Sequence, residues 1–123
     1  MRMVGSYVGV LASCCAFAGV ACENPAVVTI PDGKSSTMEQ LLTAQGQVKT
    51  YLAAMQDYLA CVDNEADAKD SEAKAKGADT PAEYKTMMAA RHNNAVTEME
   101  SIAAAFNEQV KAYKAANPEP PKN

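Results

Sequence analysis

Residues 51–65 read YLAAMQDYLACVDNE, and their periodicity decides the fold. Apolar side chains recur three and four residues apart, which places them on one face of a helix. Extended in both directions, the stripe is Leu41, Val48, Leu52, Met55, Leu59, Val62 and Ala66, interrupted at Gln45, with Tyr51 and Tyr58 flanking one side. Upstream, Ser36-Thr37-Met38-Glu39 has the form of a capping box, with Ser36 accepting an unpaired backbone N–H and Glu39 reaching back. Downstream, the surface becomes DNEADAKDSEAKAKG. Glu65–Lys69, Asp70–Lys74 and Glu72–Lys76 are i,i+4 pairs with the acid on the N-terminal side, the stabilising orientation. These pairs and the interleaved alanines favour a solvated helical extension over a disordered charged linker, with Gly77 as its stop.

A second helix is predicted after Thr80-Pro81-Ala82-Glu83, a further capping box with proline at the first helical position. Its stripe is Tyr84, Met88, Ala95, Met99, Ile102, Phe106, Val110 and Tyr113, and the proline-rich tail 117–123 ends it. Residues 22–36 carry two prolines, a Val-Val-Thr-Ile run and the turn Pro31-Asp32-Gly33, and read as an extended arm with no second strand to pair with. The expected fold is therefore all-α: a long antiparallel two-helix hairpin over 37–116, with helices over about 37–76 and 81–116, and an extended arm over 22–36 folded back along the first helix. A short connection makes the helices antiparallel neighbours. Each would be roughly 50–60 Å long at 1.5 Å per residue. A bare pair leaves its stripes partly wet, so the arm, a second copy or both must cover them.

The N-terminal stretch MRMVGSYVGVLASCCAFAGVAC has one basic residue, a short apolar run and small residues at its end, the form of a secretory leader over 1–21. It is short of the roughly 20 apolar residues that a spanning helix needs. Cleavage after Ala18 or after Ala21 would leave Cys22 in the mature chain. An alternative is the Leu-Ala-Ser-Cys stretch ending at Cys14, which has the form of a lipoprotein box and would acylate Cys14. Loss of 1–21 removes only Arg2 from the 11 basic residues, leaving 10 against 15 acidic ones and a charge of −5. An acidic chain with no basic patch argues against nucleic acid and against docking to anionic lipid. The mature form is expected off the membrane unless lipidated.

Of four cysteines, Cys22 and Cys61 would remain, and an even count in an exported chain implies a disulfide. Cys61 falls about 130° from the stripe centre on a helical wheel, so its partner must approach from outside the helix pair. From Thr37 to Cys61 is about 36 Å of helix, while the arm from Cys22 to Ser36 reaches about 46 Å when extended. The arm can thus bring Cys22 beside Cys61. Pairing with other chains, or lipidation of Cys22, is the alternative.

Cys22, Pro25, Ile30-Pro31-Asp32-Gly33, Val48, Tyr51, Tyr58-Leu59-Ala60-Cys61 and Phe106-Asn107 together resemble a set of small, uncharacterised exported proteins of Gram-negative bacteria. The resemblance covers most of the mature chain. It implies an envelope location and paired cysteines, and carries no activity.

The sequence carries no catalytic or ligand-binding signature. His92 is the single histidine, and without a second histidine or a Cys-x-x-Cys pair a zinc site fails on ligand count. Met38, Met55, Met88 and Met99 sit on or beside the stripes, where thioethers fill packing gaps rather than bind copper(I). Glu98 and Glu100 read as a solvated face. For Asn93-Asn94 beside Arg91, a hydrogen bond across the hairpin near Val62 is expected. No phosphate loop or nucleophile elbow is present. The reading is a non-enzymatic periplasmic or secreted protein without cofactors, acting on an unknown protein partner, by self-association or as an envelope structural element. The rivals are a chaperone-like or stress-related envelope binder and an outer-membrane lipoprotein.

Overall fold

The computed structural model describes residues 21–121. The leader reading and acylation at Cys14 concern residues outside that range. Two helices, α1 (Met38–Ala75) and α2 (Ala82–Ala116), pack against each other as a hairpin, and no strand occurs among the described residues. With 38 and 35 residues, they form a rod about 55 Å long.

The ends of α1 are set by backbone hydrogen bonding. Its N-cap is Thr37, one residue later than expected: the Thr37 hydroxyl accepts from Gln40 N–H at 3.2 Å, and Gln40 Oε1 accepts from Thr37 N–H at 2.9 Å. Ser36 instead donates its hydroxyl to the Asp32 carbonyl at 2.6 Å, which tightens the preceding turn. At the other end Gly77 adopts φ +70°, and Gly77 N–H and Ala78 N–H donate to the Lys74 and Ala73 carbonyls. This is a Schellman closure, and a residue without Cβ takes the left-handed position at least cost. The second box does not form. The N-cap of α2 is Pro81, without a side-chain cap, and the Thr80 hydroxyl donates to Asp70 Oδ1 at 3.0 Å. Thr80 is buried in the hairpin turn, where bonding across to α1 uses its hydroxyl better than capping its own helix.

The seam differs from the expected stripe. Leu41, Ala44, Val48, Tyr51, Met55, Tyr58 and Val62 are the buried residues of α1, an unbroken alternation of three and four. Tyr51 and Tyr58 are therefore core rather than shoulder, at 3% and 9% exposure, while Leu52 and Leu59 are the half-buried flank. Met55 and Val62 are the most deeply enclosed side chains. From α2, Met88, Ala95 and Phe106 are buried, and Tyr84, Met99, Ile102 and Val110 pack partly against them. Met38 is 53% exposed at the rod's open end rather than a packed stripe residue.

The cause of the shift is on the tyrosine side. Cys22 is bonded to Cys61, with Cα atoms 5.7 Å apart, an ordinary disulfide separation. Val28 packs against both core clusters, and Ile30 against the Ala44–Val48–Phe106 cluster. At the turn, Asp32 Oδ1 accepts from Lys34 N–H at 3.0 Å. Gly33 N–H donates to Gln109 Oε1 at 2.8 Å. Gly33 lies so close to α2 that a Cβ there would meet the Gln109 carbonyl oxygen at 1.8 Å. Cys22 and Val28 pack against the cluster that holds Tyr51 and Tyr58, and this apolar cover draws the two tyrosines inward.

Candidate functional site

The disulfide and the grooves beside it are the most distinctive feature of the molecule. Cys61 is on the outer flank of α1, half-buried, and Cys22 meets it there. Around the bond an open groove of about 820 Å³ is lined by Glu23, Asn24, Pro25, Ala54, Asp57 and Tyr58. A second of about 830 Å³ lies between Pro25–Thr29 and the α1 residues Thr43, Gly46, Gln47, Thr50 and Ala54. Val27 stands 61% exposed at its edge. Both grooves are open; the one beside the disulfide carries two carboxylates, Glu23 and Asp57, and the other is walled by small or neutral side chains beside Tyr51, a form suited to contact with another surface rather than enclosure of a small molecule.

Beneath them lies the one buried side-chain polar atom left unpaired among the described residues, the Tyr51 hydroxyl. Burial first, and then the Glu98 carboxylate, push its pKa up to about 12. Glu98 faces the hydroxyl without reaching bonding geometry. Glu98 is therefore half-buried, not part of a solvated face.

Polar contacts across the hairpin cluster where the rod approaches its turn. Arg91 Nη1 lies 3.3 Å from Glu65 Oε2, with the guanidinium 5.9 Å from the Tyr58 ring centroid. The expected Glu65–Lys69 pair is replaced by this contact, because a partly desolvated arginine over an aromatic face attracts the carboxylate more than an exposed lysine does. Asp70–Lys74 at 2.6 Å and Glu72–Lys76 at 2.8 Å form as the spacing predicts. Lys74 first, and then Thr80, hold the Asp70 carboxyl below its usual range. His92 Nδ1 is 3.1 Å from Asp63 Oδ1. The contacts near Val62 thus belong to Arg91 and His92, while Asn93 and Asn94 are exposed. Among the described residues no group of three histidine, cysteine or carboxylate side chains is placed to hold a metal ion.

Three further open patches lie elsewhere on the rod. Near the turn a groove of about 470 Å³ has an apolar floor of Val62, Ala66, Tyr84 and Met88 and an acidic wall of Asp63, Asp67 and Asp70. At the open end Met38, Leu41, Leu42, Phe106, Val110 and Tyr113 line one of about 310 Å³. A smaller one of about 320 Å³ lies between Pro31 and Gln40. Among the described residues no helix is long and apolar enough to cross a membrane.

Sequence reasoning missed the Tyr51–Glu98 approach, the Thr80–Asp70 bond and the closeness of Gly33 to Gln109. The first was detectable: counting Ala44 as a seam residue continues the alternation through Val48, Tyr51, Met55 and Tyr58 without a break. The other two depend on which surface the turn or arm meets, and no local pattern encodes that. No family model matches the chain, and no curated protein or solved structure shows significant similarity to it.

Proposed function

We propose that this chain is a non-enzymatic exported protein of the bacterial periplasm, a clipped helical hairpin that works by protein–protein contact or as an envelope structural element. In this reading the N-terminal arm lies folded back along α1 as a permanent strap. The observation that carries it is the Cys22–Cys61 disulfide, whose strap delivers Val28 and Ile30 to the hairpin core. Disulfides persist in oxidising compartments and are rare in reducing ones. The leader-like N-terminus, the acidic balance and the resemblance to small exported Gram-negative proteins support the same compartment. The shallow grooves support contact as the mode of action.

Fractionation of the native host and intact mass with and without reductant test the compartment and the strap. The expected result is a processed periplasmic chain that gains two hydrogens only on reduction. A free Cys61 thiol rejects the strap, and a cytoplasmic full-length chain rejects export. Recovery of a reproducible envelope partner by co-purification supports the contact role.

A second reading, a chaperone-like binder of unfolded clients, is favoured by one observation: Val27, Met38, Leu42 and Met87 are large apolar side chains 47–61% exposed. Suppression of aggregation of a reduced client separates the two. A lipoprotein anchored through Cys14 is tested by palmitate incorporation.

A further inference from the structure

Each helix carries a second apolar row at the edge of the seam, which the hairpin covers only in part. On α1 it is Met38, Leu52, Leu59 and Ala66, with Gln45 as its one polar member, every step a multiple of seven. On α2 it is Ala89, Val96, Ala103 and Val110, again seven apart. Leu52, Leu59, Ala66, Val96, Ala103 and Val110 are all half-buried. A two-helix seam needs only two apolar positions per heptad, and a third matches a helix of a larger bundle. Both rows lie on the flank away from the arm. The arm borders Thr43, Gln47, Thr50, Ala54 and Cys61, about 120–180° around α1 from Leu52 and Leu59.

We infer that this flank is a homodimer interface, on which a second copy docks in parallel to complete a four-helix bundle. This deepens the contact reading above by naming the face and the partner. The register supports it. Asp63 bonds His92 and Val48 packs with Phe106, which fixes the levels of the two helices. On that scale Leu59 is level with Val96, Leu52 with Ala103, and Ala66 with Ala89. A two-fold axis along the rod lays α1 of one copy over α2 of the other at matched levels, so each leucine meets a smaller side chain of the partner. Large against small is how facing layers interdigitate.

Charge selects the same arrangement. Asp67 and Asp70 edge the row on α1, Lys85 edges it on α2, and the three line one groove. Lys85 stands level with Asp70, so the parallel pairing brings each copy's carboxylates to the partner's Lys85. An antiparallel pairing of α1 on α1 would instead set those carboxylates against the apolar stretch around Leu42. Closed two-fold symmetry also makes the interface self-limiting.

Sedimentation equilibrium of the oxidised protein tests this, and the expected result is twice the chain mass at tens of micromolar. Val96→Glu, at a half-buried position outside the core clusters, should give a monomer with unchanged helicity by circular dichroism. Lys85→Glu, at an exposed position, should weaken the dimer several-fold at low salt and less at high salt. A nitroxide at Glu72→Cys should report a separation on the order of a bundle's width, ~20 Å, by pulsed electron resonance, and about a rod length, ~55 Å, if the copies are antiparallel. A monomeric unaltered protein overturns the inference. So does a dimer insensitive to Val96→Glu, or one with tip labels a rod length apart. A monomer that still captures an envelope partner overturns the self-pairing and leaves the contact reading standing.

Discussion

Gly33 and Gln109 meet at a distance that leaves no room for a side chain: the glycine N–H donates to Gln109 Oε1 at 2.8 Å, and a Cβ on Gly33 would stand 1.8 Å from the Gln109 backbone oxygen. The contact joins the arm's turn to α2, while the disulfide joins its other end to α1. The arm is thus fixed at both ends, to different helices.

Gly33→Ala should be among the most damaging single-methyl additions in the chain. The obstacle is helix backbone, which cannot rotate aside, so the turn must lift and its hydrogen bond must lengthen or break. A loss of about 2–3 kcal/mol is expected from overpacking together with the lost bond, read as a lower denaturation midpoint. Gln109→Ala should cost about 1 kcal/mol, because it removes the acceptor but not the fit.

Cys61→Ser should lower the unfolding free energy by about 4 kcal/mol in the chain-entropy description of a loop with 39 residues of separation. Cys22→Ser should cost about the same, and the double substitution no more than either, because one bond is lost in all three. Denaturant unfolding of the four proteins checks this, and additive losses would show that the cysteines act separately.

Tyr51→Phe should be neutral or stabilising by up to about 1 kcal/mol at pH 7, since it removes a buried hydroxyl that has no partner. The pH dependence has a definite sign. A folded value of about 12 against an ordinary 10.0 means that the stabilisation is complete below pH 10 and is lost as pH rises from 10 to 12. The variant should lose less stability than the parent across that window, on the order of 2 kcal/mol less. Parallel alkaline profiles would contradict the burial of this hydroxyl.

Asp70 contributes at the acid end. Its folded carboxyl lies below the ordinary 3.8, so its stabilisation is present above about pH 4 and is lost as pH falls through the lowered folded value. Asp70→Asn should lower the melting temperature at pH 7, and the difference from the parent should close toward pH 2. Thr80→Val should reproduce part of the effect at pH 7, because it removes the hydroxyl that donates to the same carboxylate.

Gly46→Ala should stabilise by about 1 kcal/mol, since the glycine is inside α1 with nothing within 4 Å of a built Cβ. A loss instead would show that another surface occupies that face in solution.

Much of the hairpin was legible in the sequence because its signals are local. Three- and four-residue spacing, a Gly at 77 and a proline entry at 81 act within one or two helical turns, and they suffice to define two helices and the break between them. The capping box of α1 starts one residue later than the spacing predicts because serine is the better cap in isolation, but here the Asp32 carbonyl engages Ser36 from the preceding turn and leaves the cap to Thr37. The stripe was misplaced by part of a turn for a different reason. Leu52 and Leu59 are the greasier residues, but burial follows what packs on each flank, and Cys22 and Val28 pack against the cluster that holds the tyrosines.

The sequence by itself determined the helical class, the hairpin connection and the reach that lets Cys22 meet Cys61, since backbone geometry and chain length decide these. Only the tertiary structure decided that Tyr51 and Tyr58 are core, that Glu65 turns to Arg91 rather than Lys69, that Thr80 bonds Asp70 instead of capping α2, and that Gly33 locks onto Gln109. Each of these is a competition between partners distant in the chain, and such competitions are settled by which surfaces pack, not by the preferences of the residues alone.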